Sequence, residues 1–112
     1  MITGVITNEN LGKIKILSSF ANFIKIKTNY PTQLLIFSNS DNLQNLIEQN
    51  KSSFRSWQKI INFKIKPDLI YLPEVITQIL LKEKFTENSS YIIAPSDSIF
   101  QEVIPFLSTA QN

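Results

Sequence analysis

The sequence predicts an α/β or α+β domain with a mixed sheet, and three observations point there. Short β-branched runs separated by Asn, Gly and Pro fill the N-terminal part; from Phe37 onward apolar strands alternate with capped amphipathic helices; and 112 residues suit one buried core. The expectation is a single globular domain over residues 1–112. Antiparallel N-terminal strands come first, then strand-helix units with helices on one or both sheet faces.

Taken in order, Ile2 to Thr7 is β-branched almost throughout and reads as a strand. NENLG then turns the chain, because Asn and Gly tolerate hairpin geometry, and Lys13 to Leu17 reads as the antiparallel return. Asn22 to Thr28 reads as a third strand, closed by the turn Asn29-Tyr30-Pro31-Thr32. Gln33 to Phe37 is continuously apolar after its first residue, as expected of a strand covered on both faces. Asp41 stands three residues before Gln44 in a capping-box spacing, and Leu43, Leu46 and Ile47 form one apolar stripe. Phe54, Trp57, Ile60 and Ile61 continue at helical spacing and read as a second short helix. Asp68 opens another expected strand. Pro73 is placed as a first helical residue, opening a helix from Glu74 to Phe85. Tyr91 to Ala94 reads as a short strand, and Ser98 with Gln101 caps a last helix that Pro105 ends or kinks.

Composition removes several chemistries. Histidine and cysteine are both absent, which excludes the Ser-His-Asp and Cys-His nucleophile systems, thiolate metal sites and nearly all zinc chemistry. No cofactor or metal is expected. The apolar runs are far shorter than the ~20 residues of a bilayer-crossing helix, so no membrane partner is expected. The N-terminal residues lack the basic start and apolar stretch of a signal peptide, which leaves a cytoplasmic location as the expectation. A net charge of +2 does not by itself argue for nucleic acid.

Distribution of charge says more. KIKIL, FIKIK and NFKIK put Lys13 and Lys15, Lys25 and Lys27, and Lys64 and Lys66 on one face of each expected strand, so six of the ten lysines fall in three segments. Adjacent, those strands would make a cationic sheet face for an anionic partner such as nucleic acid, with Phe23 as a stacking surface. The competing reading is plain: lysines mark the wet side of half-buried strands and protect sheet edges. Arg55 is the only arginine, which counts against specific base or phosphate recognition.

Two strand-exit loops are the other candidates. Ser38, Asn39, Ser40 and Asp41, and Ser96, Asp97 and Ser98, each stand between an expected strand and helix, where ligands bind in open α/β sheets. A nucleotide is the ligand class that fits, and Asp41 with Asp97 offers a magnesium-dependent phosphoryl-transfer or nuclease alternative. Helix capping explains the same residues without a ligand. With no phosphate-cradling Gly-rich loop, the sequence reads as a non-catalytic regulatory or adaptor domain acting through protein contacts. Its expected partner is another protein or a second copy in a homodimer.

Overall fold

β1 (Ile2–Thr7) and β2 (Thr32–Ser38) are buried along their whole lengths in the computed structural model, which describes residues 1–38, 43–64 and 72–95. Burial on both faces is the mark of interior strands in a layered α/β sheet. The link between them is a crossover: a short 3-10 helix, Asn8–Lys13, runs straight into α1 (Ile14–Thr28). The return strand expected at Lys13–Leu17 and the strand expected at Asn22–Thr28 are therefore helical, with no N-terminal hairpin. Parallel strands need a crossover of a dozen or more residues, and this segment supplies it. β2 pairs with β1 in parallel, from Ile2 opposite Thr32 to Thr7 opposite Phe37.

The remaining strands follow the same sense. β3 (Lys59–Lys64) pairs with β2 and β4 (Tyr91–Ile93) with β1, both in parallel. Among the described residues the sheet has four strands in the order β3-β2-β1-β4. An α/β fold with an all-parallel sheet thus replaces the expected mixed sheet with antiparallel N-terminal strands. The reason lies in α1, whose buried residues Ile14, Leu17, Ser18 and Ala21 follow a helical register that the local Lys-Ile alternation masks. Asn29 ends the helix in a left-handed conformation with its N–H donating to the Lys25 carbonyl at 2.7 Å, and Pro31 follows.

Alternate residues of the central strands feed two cores. On one face Ile2, Ile6, Leu34 and Ile36 pack with Leu11, Ile14, Leu17 and Ala21. On the other, Val5, Leu35 and Phe37 pack with Ile76 and Leu80 of α4 (Leu72–Lys82), and Phe85 of α5 (Phe85–Asn88) joins the margin. Phe63 stacks on Phe37 at 5.0 Å between centroids and meets Phe85 edge-on at 6.1 Å. The Cα radius of gyration, 13.4 Å, matches the ~13 Å of a compact chain of about this length.

α2 (Leu43–Gln49) and α3 (Lys51–Arg55) lie between β2 and β3. The expected second helix breaks after Arg55: Phe54 and Trp57 are buried, but Ile60 and Ile61 belong to β3. Gln58 makes the change of direction, since its side chain accepts the Thr32 N–H at 2.9 Å while its own N–H donates to Thr32 Oγ1 at 3.1 Å. The expected strand beginning at Asp68 and the helix capped by Ser98 fall largely or wholly outside the described residues.

Candidate functional site

The strand order puts a reversal at one place. From β1 the chain builds outward through β2 to β3, then crosses back over the sheet to add β4 on the other side of β1. Helices α1 and α3 cover one face and α4 the other, so the connections diverge beyond the carboxyl ends of β1 and β4. In open parallel sheets that crevice is the usual ligand position. Thr7 closes β1 there, and Pro95, the last described residue after β4, precedes Ser96 in the chain. Of the expected loop residues only Ser38 is described: it is the last, buried residue of β2, in register with Lys64 at the end of β3. Asn39, Ser40, Asp41, Ser96, Asp97 and Ser98 lie outside the described residues, and the Asp41–Asp97 magnesium alternative with them. Among the described residues no three carboxylates gather into a metal-binding group.

The lysine segments do not form a sheet face. Lys15, Lys25 and Lys27 are on α1, Lys13 precedes its first residue, Lys64 ends β3, and Lys66 lies outside the described residues. At ~100° per residue Lys25 and Lys27 fall on nearly opposite sides of the helix. Lys13, Lys15, Lys25 and Lys27 therefore do not lie on strands as the sequence pattern predicts.

The lysines instead edge a different surface. α1 turns one apolar face to the sheet and a second to solvent, where Ile16 is 67% exposed, Phe20 51%, Phe23 55% and Ile26 76%. Spacings of four, three and three residues align these side chains as one ridge along ~15 Å of helix. Lys15 flanks one side of the ridge; Lys13 and Lys27 flank the other, with Lys27 Nζ 4.5 Å from the centre of the Phe23 ring. α1 contains no Asp or Glu. Among the residues whose side chains are described, no carboxylate forms an ion pair with Lys13, Lys15 or Lys27; Glu48 pairs with Lys51 at 3.2 Å.

The ridge sits on a fixed platform. Trp57 Nε1–H donates to Ser18 Oγ at 2.8 Å, and Ser18 in turn donates to the Ser53 carbonyl at 2.9 Å. That chain ties α1 to α3 and to the entry of β3. An open groove of about 320 Å³ beside it is lined by Lys15, Ser19, Asn22, Ser52 and Ser56 among others. Two of its hydroxyls are engaged within the protein: Ser19 donates to the Lys15 carbonyl and Ser56 to the Ser53 carbonyl.

Comparison with family models, curated proteins and solved structures returns no match. Chemistry must therefore be read from this chain's own surface. Ile16, Phe20 and Ile26 are the residues the local pattern does not mark, since it assigns the isoleucines to the dry side of strands; Phe23 it marks, as a stacking surface on a strand. Their signal was present as a second helical register, 16-20-23-26, interleaved with the buried 14-17-18-21.

Proposed function

We propose that this chain is a non-catalytic protein-binding domain, a regulatory or adaptor module, and that it engages its partner through the outer face of α1. The observation that supports it is the exposed ridge of Ile16, Phe20, Phe23 and Ile26 on a helix whose other face already serves the core. Scattered exposed apolar side chains are ordinary, but a contiguous row at helical spacing is the pattern by which a helix is recognised. Fully burying side chains of this size contributes roughly 1.5–3 kcal/mol each, so four together are an adequate hot spot before ordering costs are subtracted.

Site-specific photo-crosslinking tests this reading. A photoreactive residue at Phe23, in cells that make the protein, is expected to capture a discrete protein; one at Gln78, exposed on α4, is not. Phe20→Glu should abolish the capture. Equal labelling from both positions, or none from Phe23, contradicts the reading. Light scattering over a concentration series separates a homodimer, the form expected from sequence, from a heterologous partner.

A second reading is favoured by the strand order: a phosphate-bearing ligand, such as a nucleotide, beyond the carboxyl ends of β1 and β4. A ligand at about 100 times its Kd adds ~2.7 kcal/mol to the folded state, enough for a melting shift of several degrees in a domain of this size. ATP, GTP or inorganic pyrophosphate should then raise the melting temperature in the wild type and less so in Ser96→Ala. A flat response to all three removes this reading and leaves the first untouched.

A further inference from the structure

We infer that the partner seated on α1 is an amphipathic helix from an acidic protein, carrying Asp or Glu on both sides of an apolar stripe. This rests on the reading of α1 as a docking face and adds the chemistry of what docks.

Charge selects the occupant. The ridge is one side chain wide and convex, so its complement is a helix laid alongside it or the groove between two helices. Cations stand on both sides of it, Lys15 on one and Lys13 and Lys27 on the other, while Lys25 lies farther round on the Lys15 side. α1 offers no carboxylate to any of them. A partner helix at packing distance would bring its flanking side chains within ion-pair reach of these ammonium groups, which rewards acids and penalises bases. A second copy does not fit that requirement. A two-fold contact through α1 would bring two sets of three lysines together, Lys13, Lys15 and Lys27 of each copy, with no acid on either helix, and Glu48, the carboxylate of α2, is already paired with Lys51. A lipid surface fits less well. Interfacial helices present a broad apolar face, whereas here Ser19 and Asn22 share the outward side and Lys27 covers the Phe23 ring.

A displayed library of amphipathic helices about 16 residues long tests the assignment. Leu is fixed along one stripe, and the flanking positions are randomised among Glu, Gln and Lys. Selection is run on the wild type, on Phe20→Glu/Phe23→Glu and on Lys15→Glu/Lys27→Glu. These four substitution sites are all exposed on α1, and far-UV circular dichroism with Trp57 fluorescence verifies that each variant folds. The wild type is expected to enrich Glu at the flanks, with Kd rising about tenfold between about 50 mM and about 500 mM salt. Lys15→Glu/Lys27→Glu is expected to reverse the preference toward Lys. Enrichment of apolar helices with no charge preference, or with Lys on the wild type, overturns the acidic assignment and leaves the docking face standing. Equal enrichment on wild type and Phe20→Glu/Phe23→Glu overturns both. A concentration-dependent dimer lost in Phe20→Glu/Phe23→Glu assigns the face to a second copy. Phosphatidylserine vesicles bound by wild type and not by Phe20→Glu/Phe23→Glu, with no helix enriched, assign it to lipid; either result overturns the inference.

Discussion

Gly4 and Trp57 are the two residues on which the packing of the inner core turns. A Cβ at Gly4 would lie 2.5 Å from Trp57 Cη2 and 3.0 Å from Cζ3, and the rigid indole is held by its hydrogen bond to Ser18. Gly4→Ala is therefore expected to destabilise by about 1–3 kcal/mol, the range for overpacking a full core. In a Trp57→Leu background the same change should cost much less. A double-mutant cycle by urea denaturation checks this, and additive costs would contradict the contact. Ser18→Ala acts from the other side of the ring. It leaves the Trp57 N–H buried without its acceptor, so we expect a loss of about 1–3 kcal/mol in chemical denaturation, together with a shift in the fluorescence of the sole tryptophan. On the opposite face of the sheet Gln33 Nε2 donates to Thr3 Oγ1 at 2.9 Å, and among the described residues no buried side-chain nitrogen or oxygen lacks a partner.

α1 shows what a second apolar face does to a sequence pattern. Its inner residues alone would have read as an amphipathic helix, but Ile16, Phe20, Phe23 and Ile26 fill the positions where polar residues belong. Over a short window, isoleucines from the two faces fall on alternate positions and imitate a strand; KIKIL and FIKIK are such windows. The misleading period is thus a trace of the surface assigned here to a partner. Elements with one apolar face, or with none exposed, were legible: β1, the continuously apolar β2, the helix α2, the proline-opened α4 and the short β4 all fall close to where local pattern puts them. Parallel pairing was not legible, because the partner of a strand is set by a crossover far away in the chain and leaves no local mark. The candidate site was half visible: lysines and Phe23 were singled out, on the wrong element. Replacing Phe20 and Phe23 with Ser should leave stability within about 0.5 kcal/mol, as for exposed positions, while Leu17→Ala on the opposite face should cost about 2–5 kcal/mol. Equal costs from the two faces in urea denaturation would mean that the ridge serves folding and not recognition.

At the scale of the whole molecule, stability is graded across the sheet. β1 is hydrogen-bonded on both sides, by β2 and by β4, and β2 is held by β1 and β3. Among the described residues β3 and β4 are the edges, and they are the more exposed strands. β3 carries Lys59 and Lys64 at its two ends, a charge placement that discourages pairing with another chain. Because the central ladders join segments distant in sequence, opening them requires giving up both cores together, whereas an edge strand can detach while the centre holds. Native-state hydrogen exchange should therefore show the amides of Val5, Ile6, Leu35 and Ile36 exchanging only through global unfolding, with a denaturant dependence equal to that of the whole protein. Ile60, Asn62 and Ile92 should exchange sooner, through local opening with a smaller dependence. The same topology predicts slow folding, on the millisecond-to-second scale typical of non-local strand pairing. If the amides of β1 exchange as readily as those of β3, the order β3-β2-β1-β4 is wrong. The platform beneath α1 then loses its basis, because the helix is held in place by packing on the strands at the centre of that order.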